Sequence, residues 1–156
     1  MTAKENSLPS FTYSPDPLGN GSIVKKEEIC PWCIADGSAA AKWSASFNDL
    51  QDVPPGVPTQ VALEVETRTP GYESWQGNSW LFSPDDALVF LGEVCGARLL
   101  EERKAGKIEA CQKALREWHI EWSAEDLKQI VRGGQPAIYL FQDRTTGAYD
   151  AYADMT

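Results

Sequence analysis

The sequence predicts a single compact α+β domain, several short helices closed by a C-terminal β-hairpin. Three observations carry that expectation. Apolar residues recur at helical spacing in separate stretches, most clearly Ile108, Cys111, Leu115 and Trp118. "PAIYLFQ" and "GAYDAYAD", joined around residues 144–147, read as paired strands. The length of 156 residues is that of one domain, enough to bury about 70% of the surface of the unfolded chain.

In chain order, residues 1–8 read as a flexible tail and 9–156 as the domain. "TYSPDPLGNGS" is too dense in Pro and Gly for regular structure. Ala39, Trp43 and Phe47 recur at i, i+4 and i+8 and predict a helix over about 38–48. "DVPPGVP" is a loop stiffened by three prolines. "TQVALEVE" is ambiguous: Val61, Leu63 and Val65 alternate like a strand, while Pro58 suits a first helical turn. Ser83-Pro84-Asp85-Asp86 has the chemistry of a helix start, a hydroxyl cap followed by Pro and two acids. The helix expected there buries Leu88, Leu91 and Val94 and ends near Gly96. After the helix carrying Ile108, Ser123 and Asp126 cap a short one through Leu127, Ile130 and Val131, stopped by Gly133-Gly134.

Twenty-three acidic residues against 14 basic ones give a net charge of −9. Such a surface repels nucleic-acid phosphates and anionic lipid, and it speeds encounter with a basic protein. No run approaches membrane-spanning length and the first residues lack the pattern of a signal peptide, so a cytoplasmic location with reduced thiols is expected.

Cys30 and Cys33 have the spacing of half a zinc site or of a redox pair. A structural zinc ion wants four ligands, and no second pair exists. Cys95 and Cys111 fall on apolar helical faces, where a thiol acts as a small hydrophobe, and His119 reads as packed between Trp118 and Ile120. Zinc at Cys30 and Cys33 therefore needs ligands from elsewhere, and no cofactor is expected. Thiol–disulfide oxidoreductases set their Cys-x-x-Cys after a buried strand, and "VKKEEI" is too charged for one. No phosphate-binding glycine loop or Gly-x-Ser-x-Gly elbow is present, and one histidine leaves little scope for nucleophile–base pairs. A non-enzymatic protein is expected. Tyr72, Trp75 and Trp80 read as aromatic residues that fasten a loop to the core, with Arg68 bonding carbonyls of the turn. The same residue types are enriched at protein-binding hot spots.

At "CPWCIADGSAA" and "RTPGYESWQ" the chain resembles the CbrC-like family of small bacterial proteins, named for colicin tolerance. "FTYSPDPL" resembles that family's opening and "YLFQDRTTGAY" its ending. The resemblance implies that "TQVALEVE" is a short helix leading into the turn. It marks Arg68, Pro70, Gly71, Tyr72, Trp75 and Gln76 as a structural motif. The resemblance also implies a further Cys-x-x-Cys pair upstream of "CPWC", His and Cys after the Trp-Leu of the middle block, and Cys-x-x-Cys-Gly in the last hairpin. Here "GSIVKKEE" runs directly into Ile29, the middle block continues "FSPDDALVF", and the hairpin holds residues 143–147 without cysteine. The chain thus reads as a divergent member that kept the fold and lost the metal, with Cys30-Pro31-Trp32-Cys33 as a structural turn. The function implied is that of an immunity-type protein covering a bacterial toxin domain. The contact residues expected, from acidity and aromatic character, are Asp85, Asp86, Tyr72 and Trp75. The alternatives are a zinc-binding tolerance protein and a thiol–disulfide oxidoreductase.

Overall fold

The computed structural model describes residues 29–48, 50, 53–72, 74, 75, 77 and 79–155. The expected tail over 1–8, the "FTYSPDPL" stretch and Gln76 lie outside the described residues.

The α+β class holds: the described residues form five short α-helices and a three-stranded antiparallel sheet. The helices are α1 (Pro31–Ala35), α2 (Ser38–Trp43), α3 (Thr59–Arg68), α4 (Gly96–Glu102) and α5 (Ala105–Glu117). The strands are β1 (Val89–Glu93), β2 (Ala137–Gln142) and β3 (Tyr149–Asp154), in the order β1-β2-β3. β2 and β3 form the expected hairpin, pairing Ala137 with Asp154 through Gln142 with Tyr149. Its turn is built by Asp143, whose Oδ1 accepts the amides of Thr145 and Thr146 at 2.7 and 2.9 Å. Gly147 takes the positive φ of 73° that closes it.

The central strand β2 is buried from Ala137 through Phe141, so its two faces meet two different cores. Ile138 and Leu140, with Ala151 and Ala153 of β3, pack against Ala110, Cys111, Ala114 and Leu115 of α5. Ala137, Tyr139 and Phe141 face an aromatic layer with Tyr72, Leu88, Trp80 and Phe90. The α5 face is the one the 3.6-residue period predicts. Trp118, at its end, is half outside, and its indole N–H donates to the Ala153 carbonyl at 2.9 Å. A third, smaller cluster joins α1 and α2 through Ile34, Ala39, Ala40 and Phe47.

Several expectations are corrected. Residues 83–86 form a turn: the Ser83 amide donates to the Asp86 carbonyl at 2.8 Å, and Phe82 bridges Ala87. The hydroxyl of Ser83 accepts the Asp86 amide, as a helix cap would, but the chain after it is β1. The stretch satisfies both periods. Leu88 and Leu91 sit three apart, yet Leu88 and Phe90 also alternate with the exposed Val89 and Leu91, and a partner strand selects alternation. A bulge between Phe90 and Gly92, with Gly92 at φ 112°, then lets Val94 enter the α5 core. The helix expected over 38–48 stops at Trp43, because Ser44 turns left-handed and Phe47 and Asn48 bond to α3 instead. The buried Asn48 amide donates to the carbonyls of Val65 and Thr69 at 2.7 and 2.8 Å, closing the end of α3. Ser123 and Asp126 bond reciprocally as expected, but the element is a 3₁₀ turn over Asp126–Gln129, and Val131 is exposed. Cys95 precedes α4 rather than lying on a helical face, and His119 is exposed at φ 59°.

Gly96 begins a helix instead of ending one, and nothing larger fits there. A Cβ on Gly96 would stand 1.8 Å from the Leu127 carbonyl oxygen, backbone against backbone, while its amide donates to Ile130 at 2.9 Å. Gly96→Ala is expected to lower stability in urea denaturation by about 3 kcal/mol, the cost of overpacking a rigid contact. Gly77→Ala, a glycine whose Cβ would meet nothing within 4 Å but which holds φ 101°, isolates the backbone cost and should lose only about 1 kcal/mol.

Candidate functional site

The described residues enclose a cavity of about 730 Å³ between α3, the turn after it, and β1. That volume is within the range of ordinary ligand sites. Its helical wall is Val61, Glu64 and Val65, one face of α3 at helical spacing. Its corner is Thr69-Pro70-Gly71-Tyr72, where the chain leaves the helix, and its floor is aromatic.

Tyr72 is the centre of that floor. It is 7% exposed, stacks on Phe90 with centroids 4.5 Å apart and 15° between planes, and lies 4.7 Å from Tyr139. Trp80 and Phe141 complete the cluster at 6.3 and 6.0 Å, and the Trp80 indole donates to the Leu88 carbonyl at 3.1 Å. Burial raises the Tyr72 hydroxyl well above the ordinary phenol range, and the hydroxyl donates to the Ser79 carbonyl. Burial, then the carboxylates of Glu93 and Asp154, pushes Tyr139 up to about 12. Both phenols therefore stay neutral at physiological pH.

The lining also carries charge: Glu64, Asp86 and Glu93 together with Arg132 and Arg144. Arg144 meets Asp86 at 2.7 Å, and this hydrogen bond holds the guanidinium above its usual range. Glu93 fixes the far end: its carboxylate accepts the Gly133 amide at 2.7 Å, and its carbonyl accepts Arg132 Nε at 3.2 Å. Aromatic rings, three carboxylates and two arginines thus line one cavity, with Asp86 paired to Arg144.

Of the residues singled out from the sequence, Pro70, Gly71, Tyr72, Trp80 and Asp86 line this cavity together. Asp85 is exposed on the adjoining turn. Trp75 is 55% exposed rather than packed, and its backbone amide donates to Asp154 Oδ2 at 2.6 Å. Arg68 bonds a carbonyl, but that of Ala35 in α1 at 2.8 Å rather than one in its own turn. Sequence reasoning missed Glu64, Glu93, Arg132 and Arg144. Glu64 was recoverable from its place on one α3 face with Val61, Val65 and Arg68; the other three come from distant segments.

Cys30 and Cys33 stand apart from the cavity, with sulfurs 3.3 Å apart and Cys33 donating to Cys30. Cys30 forms no capping bond, yet the Cys33 amide pointing at its sulfur, then the Cys33 thiol, holds it below the ordinary thiol range. Cys111 is buried, and burial pushes it up to about 12. Among the described residues no group of three or more His, Cys, Asp or Glu is placed to hold a metal ion. Two sulfurs do not close a tetrahedral site, so the described residues do not fit a zinc ion within one chain. Nor does any helix among the described residues have the length and apolarity to cross a membrane.

A profile described as "Uncharacterised protein family (UPF0167)" matches residues 24–155. The chain belongs to the UPF0167 family. The UPF0167 proteins Mb2317 of Mycobacterium bovis and MT2352 of Mycobacterium tuberculosis are 35% identical to it, over 98% of this chain and 96% of each relative. The UPF0167 protein PA1536 of Pseudomonas aeruginosa is 36% identical over 86% of this chain and 89% of its own. The mycobacterial alignments span 184 positions, so those relatives carry some tens of residues with no counterpart in this 156-residue chain. No solved structure matches.

Removing the Tyr72 hydroxyl and removing its ring should have separate costs. Tyr72→Phe is expected to cost about 1 kcal/mol, because the exposed Ser79 carbonyl can bond water instead. Tyr72→Ala should cost about 3–5 kcal/mol by opening the floor of the cavity. Chemical denaturation of both variants reads the difference.

Proposed function

We propose that this chain is a non-enzymatic binding protein of the bacterial cytoplasm, an immunity-type neutraliser that covers a basic toxin domain by steric occlusion. The aromatic cavity lined by three carboxylates and two arginines carries this reading. For a cationic side chain of the partner it supplies aromatic rings and the carboxylates of Glu64 and Glu93, since Asp86 is already paired with Arg144. The likeness of "CPWCIADGSAA" and "RTPGYESWQ" to CbrC-like tolerance proteins supports it, since Thr69, Pro70, Gly71 and Tyr72 of the second block line the cavity. So does the net charge of −9, which steers a basic protein inward and turns nucleic acid and anionic lipid away.

The test is co-expression with a basic toxin domain encoded beside the gene, read as host survival and as a 1:1 complex at low salt. Glu64 and Asp85 are exposed, so Glu64→Lys and Asp85→Lys should leave the thermal melt in place. Each should slow association by about tenfold at low salt, with the effect shrinking as salt is added. A complex indifferent to both reversals, or no protection by the unaltered protein, would sink the proposal.

A further inference from the structure

The cysteine pair lies outside the cavity and has a chemistry of its own. Cys30, the residue before α1, is exposed, and Cys33, one turn on along the same face, is half-buried. Their sulfurs, at 3.3 Å, need close by only about 1.3 Å to reach bonding distance. Cys33 packs on the cluster of Ile34, Ala39, Ala40 and Phe47, which fixes it beneath its neighbour. Arg68 ties the end of α1 to α3 through the Ala35 carbonyl, so the turn is held from its other side. Access differs between the two sulfurs: a solvent-borne reagent meets Cys30 first, and Cys33 is placed to reach Cys30. No third His, Cys, Asp or Glu joins them among the described residues.

We infer that Cys30 and Cys33 form a redox-active dithiol that exchanges with low-molecular-weight disulfides, Cys30 attacking and Cys33 resolving. Cys30 gives up its proton to solvent, and its thiolate attacks one sulfur of the disulfide. That S–S bond breaks, a mixed disulfide forms on Cys30, and the first thiol leaves after taking up a proton. Cys33, deprotonated in turn, attacks the Cys30 sulfur and expels the second thiol. Two electrons have passed from the protein to the small disulfide, one S–S bond has been exchanged for another, and the proton count balances. Excess small thiol runs the sequence backward. The inference is independent of the toxin-binding reading, since neither sulfur lines the cavity.

The experiment uses the full chain, treated with a chelator, then equilibrated in buffers of reduced and oxidised glutathione without oxygen. After acid quenching and alkylation, intact and peptide masses report each cysteine. The expected wild-type product is a loss of two hydrogens in the peptide holding Cys30 and Cys33, reversed by reduced glutathione. Cys33→Ser should trap one glutathione on Cys30, and Cys30→Ser should form about tenfold less adduct on Cys33. Circular dichroism checks that each variant remains folded. The inference is overturned if wild type accumulates glutathione adducts without internal closure, if Cys33 reacts as readily as Cys30, or if the pair stays reduced where an unstructured CPWC peptide oxidises. Retention of zinc by Cys30 and Cys33 through chelation, with no closure, overturns it as well.

Discussion

Burial of β2 on both faces is the constraint on which the rest of the structure depends. A strand with no solvent side must be covered twice, and this chain covers it with unlike materials. On one face, small residues of α5 and β3 let helix and sheet approach closely, Ala110 and Ala114 meeting Ala151 and Ala153. On the other, Tyr139 and Phe141 meet aromatic rings from the segment after α3 and from β1. Rings tilt against one another instead of filling a layer edge to edge, with planes at 15° to 79°. The larger cavity lies on the aromatic side.

How much could be read in advance depended on how local the decisive contact is. The hairpin was legible because its turn chemistry and both strands lie within residues 137–154. The buried face of α5 was legible because one period runs undisturbed for three turns. β1 was not: Ser83 and Asp86 make the bonds of a cap, and only pairing with the distant β2 makes the next element a strand. Gly96 was misread for the same reason, since its role is set by a carbonyl of Leu127. The cavity was half legible. Pro70, Gly71 and Tyr72 stand in one block, whereas Glu93, Arg132 and Arg144 meet them only through the sheet.

The two proposals divide along the same line. The cavity belongs to the aromatic side of β2 and to the turn after α3, and it is lined by neutral phenols, carboxylates and two arginines. The dithiol belongs to the small α1–α2 cluster, connected to α3 through Arg68. Membership of UPF0167 extends across both, since the matching region runs over residues 24–155.

The proposed use of the cavity is tested most directly by amide hydrogen exchange on the complex with the co-expressed basic partner. Binding in the cavity predicts slowed exchange at residues 61–72 and 86–93, with the amides of α5 unchanged. Protection confined to α4 and α5, with 61–72 exchanging as in the free chain, would contradict it.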